Sequence, residues 1–258
     1  MNKIETVIFD WAGTTVDYGC FAPVKAFAEV FSQFGIQVTM EEVRKPMGML
    51  KWDHIKTMLG MARIHALWLQ TYGREPADED VDQMYQQFEP KLLAILDQHS
   101  GLKPYVKETV DLLRERGIKI GSTTGYTDVM MKIVVREAGR NGYRPDCWYS
   151  PDAVNSKGRP YPYMIFKNME TLETASVDQV IKVGDTISDI REGVNAGVKT
   201  VGILEGSSLA GLSEEEFLSL SPDAREEVLE QAEKQYLAAG ADWVVRDIRG
   251  VLDILDGK

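Results

Sequence analysis

The chain has 258 residues, 44% of them hydrophobic, enough to bury a full α/β core with one inserted subdomain but not three domains. Forty acidic against 29 basic residues give a net charge of −11, which argues against a nucleic-acid surface because nothing would replace the phosphate counterions. There is no run of 18 apolar residues and no signal-peptide core at the N-terminus, and the two cysteines, Cys20 and Cys147, suit neither a disulfide framework nor a metal knuckle; the expectation is a cytoplasmic protein with reduced thiols and no membrane contact.

In chain order, the first predicted element is the β-branched run TVIFD (6–10), which ends on Asp10 and runs into Trp11, Ala12, Gly13 and Thr14. From Gly19 to about Gly101 the strand signal vanishes and consecutive helices are expected. PVKAFAEVFSQFG places Val24, Phe27, Val30, Phe31 and Phe34 on one face, with Gly35 as the stop. Those aromatics fit either the core of the helical segment or a contact with a second subunit. Thr39 and Glu42 form a capping box, and KPMGMLKWDHIKTML (45–59) reads as a helix following Pro46. DEDVDQMYQQFEPKLLAILDQH is a long helix that Pro90 should kink or break.

Strands return with IKIGSTTG (118–125), QVIKVGD (179–185) and VKTVGIL (198–204), while DCWYS (146–150) and DWVVRD (242–247) are candidate further strands. These runs are apolar nearly throughout, as expected of parallel strands covered on both faces. Ser213 with Glu216 makes another capping box, and residues 221–240 form a charged helix begun by Pro222, read as solvated scaffold. The fold expected is a doubly wound, Rossmann-like parallel α/β sheet core (1–18 and 101–258) carrying an inserted all-helical cap (19–100), with ligands at the carboxyl ends of the strands.

Four stretches carry the chemistry. Asp10, at a strand end beside the turn at Gly13 and Thr14, suits a nucleophilic carboxylate; the plainer reading is a turn cap. GSTTGYT offers Thr124 and the Gly125 amide to phosphoryl oxygens, and KGRPYP offers the bidentate guanidinium of Arg159. VGDTISD supplies Asp185 and, four residues on, Asp189; gathered with Asp10, such hard oxygens would bind Mg2+. Each stretch alone is weak, but the four in this order are specific.

Together they resemble the haloacid dehalogenase superfamily of phosphotransferases. That resemblance implies that Asp10 attacks phosphorus and forms an aspartyl-phosphate, that Thr124, Gly125 and Arg159 hold the phosphoryl oxygens, and that Asp185 completes a Mg2+ site with Asp10 and the backbone carbonyl of Ala12. In most of the superfamily the position of Ala12 carries a second carboxylate, which protonates an oxygen leaving group. Alanine cannot, so the chain is either a damaged enzyme or one whose leaving group needs no such proton.

Lys51, placed on the helix read over 45–59, shares a face with Met47, His54 and Ile55, and desolvation by such neighbours yields the neutral amine that imine chemistry requires. An imine accepts the electron pair released when a phosphoryl group leaves carbon. FDWAGTTVDYGCFAP, KPMGMLK, GSTTGYT, KGRPYP and KVGDTISDIREGVNAG resemble the phosphonatase branch of the superfamily. The resemblance implies Mg2+-dependent hydrolysis of a small phosphonate, phosphonoacetaldehyde, to acetaldehyde and phosphate by a homodimer, within aminoethylphosphonate breakdown. It also implies an imine on Lys51, proton transfer by His54, and a pocket lined by Met47, Cys20 and Tyr126. Competing readings are a phosphatase or phosphomutase acting on an oxygen ester, and a catalytically dead phospholigand-binding protein.

Overall fold

The computed structural model describes residues 3–257. Strand β1 (Thr6–Phe9) is followed by five helices with no intervening strand: α1 (Phe21–Gln33), α2 (Met40–Arg44), α3 (Lys51–Leu59), α4 (Ala62–Tyr72) and α5 (Asp78–Leu93). The remainder alternates: α6 (Val106–Glu115), β2 (Lys119–Ser122), α7 (Asp128–Arg140), α8 (Tyr163–Thr171), β3 (Val180–Gly184), α9 (Ile187–Ala196) and β4 (Lys199–Ile203). The chain finishes with α10 (Glu214–Ser219), α11 (Pro222–Ala239), β5 (Trp243–Val245) and α12 (Gly250–Leu255).

All five strands are parallel, in the order β2-β1-β3-β4-β5. Side chains alternate across β1, so Val7 and Phe9 join one apolar cluster with Val110 of α6 and Val134 of α7, while Ile8 joins another with Ile165 of α8. Burial on both faces is why these strands read as largely apolar runs. Register pairs Phe9 with both Ser122 and Val183, so the residues that follow β1, β2 and β3 emerge side by side at one edge.

The apolar interior of the five-helix segment is continuous with the cluster that holds Val7 and Phe9. Phe27 of α1 stacks on Phe88 of α5 at 4.2 Å between ring centroids, and Val30, Phe31 and Leu92 are buried with them. Phe27 and Phe31 are thus interior residues of the helical segment. The Thr39–Glu42 and Ser213–Glu216 capping boxes both form, and Pro222 occupies the first turn of α11.

Three local expectations are overturned. The helix read over 45–59 begins only at Lys51, because Gly48 adopts φ +84, a left-handed conformation incompatible with a continuous helix. Helix α5 runs through Pro90 for a further turn, its apolar face held by the buried Phe88 and Leu92. DCWYS contributes a single bridge, Tyr149 to Thr123, instead of a strand.

Candidate active site

The strand-end carboxylates meet at the sheet edge. Asp10, Asp185 and Asp189 each present an oxygen within 4.8 Å of the others, and all three are buried. The Thr14 hydroxyl donates to Asp185 at 3.0 Å and reaches Asp10 at 3.5 Å. The other Asp185 oxygen accepts from the backbone N–H and the hydroxyl of Ser208, at 2.8 and 2.7 Å. Burial, reinforced by the charges of Asp10 and Asp189, pushes Asp185 up to about 7. Gly13 is required beside it: φ is +88, and a Cβ there would lie 2.0 Å from an Asp185 oxygen.

Arg159 is 4% exposed and bound by three carboxylates: Asp10 at 2.6 Å, Asp189 at 3.0 Å and Glu192 at 3.0 Å. Burial works against its charge, but the carboxylates outweigh burial and hold the guanidinium firmly protonated. Behind it Lys182, wholly buried in β3, contacts Asp189 at 2.7 Å and Glu192 at 3.6 Å. Burial pushes Asp189 up, yet Arg159 and Lys182 prevail and keep it below the usual carboxylate range. Asp189 also closes a capping box with Thr186 at the start of α9.

Across the edge lies the segment joining α2 to α3. A Cβ on Gly125 would approach the carbonyl oxygens of Gly48 and Met49 to 2.8 Å, and one on Gly48 would lie 2.4 Å from the Thr186 hydroxyl. Two glycines therefore let this segment rest directly on the loops of the sheet edge. The seam encloses a cavity of about 20 Å³, room for about one water. Of the residues expected from sequence, Asp10, Ala12, Cys20, Met47, Lys51, Thr124, Gly125, Tyr126 and Arg159 line it together. A larger hollow of about 440 Å³ beside Phe21 and His99 contains no member of the carboxylate cluster.

Lys51 is the first residue of α3 and is 3% exposed. Among the described residues no carboxylate lies within 4.0 Å of its ammonium, which sits 5.0 Å from the ring centroid of Tyr126 and 6.0 Å from that of Phe27. Burial lowers its pKa below that of an ordinary lysine, with Cys20 and Asp10 opposing and Arg159 adding to the fall. The phenol of Tyr126 is buried without a hydrogen-bond partner, so it has an O–H to offer to whatever enters. Burial, then the charges of Asp17 and Asp185, keep the Cys20 thiol protonated.

Thr124 faces the cavity, its hydroxyl accepting from the Tyr126 amide at 3.0 Å, whereas its neighbour Thr123 turns inward to Glu192 at 2.9 Å. His54 and Asp185 stand outside the cavity lining. His54 is stacked on Phe27 at 3.8 Å and fully buried; burial and the Lys51 charge keep it neutral, against the backbone of Val43.

Sequence reading passed over several residues that build this site. Lys182 had a signal, a lysine inside an otherwise apolar strand, which demands a buried anion; Glu192, one turn beyond Asp189, is that anion's companion. Helix α11, expected as solvated scaffold, supplies buried Tyr236, whose hydroxyl donates to the carbonyls of Asp185 at 2.7 Å and Ile203 at 2.9 Å. Nothing local in the sequence ties that helix to Asp185, 51 residues away.

Residues 4–197 match the model of the haloacid dehalogenase-like hydrolases. The chain is 51% identical to the phosphonoacetaldehyde hydrolase of Lysinibacillus sphaericus, over 96% of this chain and 92% of that one. It is 48% identical to a bifunctional phosphonoacetaldehyde hydrolase/aminoethylphosphonate transaminase of Clostridioides difficile, covering 98% of this chain and 40% of that longer one. A phosphonoacetaldehyde hydrolase-like protein from Oleispira antarctica superposes with a TM-score of 0.96 at 39% identity, over 99% of this chain and 92% of that one.

Proposed function

The chain belongs to the haloacid dehalogenase-like hydrolases, and we propose that within this family it hydrolyses the carbon–phosphorus bond of phosphonoacetaldehyde, releasing acetaldehyde and phosphate. The observation that carries this reading is Lys51: a buried amine, without a carboxylate partner among the described residues, in the same small cavity as Asp10, where Ala12 offers no acid. An oxygen-ester phosphatase would need an acid for its leaving group at position 12, whereas an imine on Lys51 needs none there.

In this mechanism the Lys51 amine condenses with the substrate aldehyde, losing water to form an imine that carries a proton on nitrogen. The Asp10 carboxylate attacks phosphorus from Oδ2, the oxygen left free by Arg159; the carbon–phosphorus bond breaks and its electron pair passes into the imine as an enamine. The enamine takes a proton at carbon and water hydrolyses the resulting iminium, returning Lys51 and acetaldehyde. A second water hydrolyses the aspartyl-phosphate. Thr124 and the Gly125 amide steady the phosphoryl oxygens, and Arg159 meets their charge. Asp10, Asp185 and the Ala12 carbonyl supply the hard-oxygen donors that suit Mg2+, which when bound would neutralise charge on the phosphoryl group.

Residues 19–100 act as a cap: a cavity of about 20 Å³ admits no substrate of this size until the seam at Gly48 and Gly125 parts. His54, neutral and behind Lys51, serves proton transfer near the imine only through that amine. A homodimer belongs to the same reading, supported by the exposed aromatic group of Tyr161, Tyr163 and Phe166 on and before α8. The relative that carries a transaminase in the same chain supports a place in aminoethylphosphonate breakdown.

Borohydride trapping tests the reading. Reduction in the presence of phosphonoacetaldehyde and Mg2+ is expected to leave one adduct, on the peptide carrying Lys51, and Lys51→Arg is expected to lose both adduct and turnover. Phosphate-monoester hydrolysis that survives in Lys51→Arg, with no adduct in the parent protein, would sink it in favour of an ordinary phosphatase.

A further inference from the structure

Arg44 ends α2, in the helical segment, and reaches out of that segment to the loop after β4. Its Nη1 donates to the carbonyl of Gly19, in the linker leaving β1, at 2.7 Å, and to the carbonyl of Ser208, in the loop after β4, at 3.3 Å. The guanidinium stacks 5.0 Å from the Phe21 ring centroid, and a Cβ on Gly211 would lie 3.0 Å from its Nε, so the loop after β4 is shaped to receive it. Among the described residues no carboxylate comes within ion-pair distance of this half-buried cation. Gly19 and Phe21 stand at the margin of the helical segment itself, whereas the bond to Ser208 lasts only while α2 sits against the sheet edge.

Ser208 gives this contact a chemical address. The same residue whose carbonyl accepts from Arg44 donates both its N–H and its hydroxyl to Asp185. One residue therefore faces the helical segment with its acceptor and the carboxylate cluster with its two donors. We propose that Arg44 is a positioning residue that couples docking of the helical segment to the grip of Ser208 on Asp185, so that the cluster is fully ordered only when the site is shut. This rests on the cap and on the substrate proposed above.

Hydrogen exchange and steady-state kinetics on the full chain test it together, with Arg44→Met, which keeps the apolar stem, and Arg44→Lys, which keeps a donor. In Arg44→Met the amides of 205–211 are expected to exchange about tenfold faster, with α5 and β3 unchanged and the melting midpoint within about 2 °C. KM for phosphonoacetaldehyde is expected to rise about tenfold while kcat changes less than about threefold, because the closed population falls. Arg44→Lys should recover most of both effects. Unchanged exchange at 205–211 overturns the proposal, as does acceleration spread over α1 to α5 with a lowered midpoint, which marks a purely structural arginine. If the parent protein does not turn over phosphonoacetaldehyde, the substrate reading fails and the exchange comparison still decides the role of Arg44.

Discussion

Replacing Lys182 by methionine removes a charge from the most enclosed part of the site without opening a hole. The ammonium lies 2.7 Å from Asp189 and 3.6 Å from Glu192, with no exposure to solvent. At an effective dielectric of about 20 these contacts represent roughly 6 and 5 kcal/mol of gross attraction, most of it offsetting the desolvation of three charges. The net cost of removing one partner is smaller, about 3–5 kcal/mol, and comes from the carboxylates left uncompensated. For a chain of this length that is a fall of about 6–20 °C in the melting midpoint. The sign with pH follows from Asp189, whose folded pKa is held below its unfolded value. Such a group contributes stability above about pH 4 and loses it as the pH falls through the folded pKa. Lys182→Met shrinks that contribution, so the gap between variant and parent should be widest near pH 7 and narrow below about pH 4. Circular dichroism melts across this range measure it. A midpoint within about 2 °C of the parent near pH 7, or a gap that widens in acid, would refute the reasoning.

Gly13→Ala forces a methyl to within 2.0 Å of an Asp185 oxygen at φ +88; turnover should fall at least about 100-fold, and the rise in melting midpoint on adding Mg2+ should disappear. Tyr236→Phe removes the donor to the Asp185 and Ile203 carbonyls, at a cost of about 1–3 kcal/mol, read as a lower midpoint in the same melts. Burial raises both thiols, Cys147 to about 11, so neither Cys20 nor Cys147 should be alkylated quickly by iodoacetamide near pH 8 in the folded protein, and both should react once it is unfolded.

The parallel sheet was legible because its central strands are buried on both faces and carry one charge in their interior. That charge belongs to Lys182, the most informative residue of its strand, since a charge in such a place must have partners. Asp10, Thr124, Arg159 and Asp185 were legible because each follows a strand or precedes a helix in a short, recognisable turn. Met47 was expected on one helix face with Lys51, but it shares no helix with Lys51 and reaches the cavity because Gly48 turns the chain back onto Gly125. Thr124 lines the cavity, while the inward role of its neighbour Thr123 depends on Glu192, 69 residues on. Tyr236 and Arg44 act entirely through partners remote in sequence, and no local pattern encodes them.

The one-water volume of the closed cavity bears on how the site will meet inhibitors. No compound larger than a solvent molecule can associate with this form directly, so binding must wait for an opening whose rate belongs to the protein. Inhibitors of different size should accordingly share one ceiling on their observed association rate at saturating concentration, set by that opening.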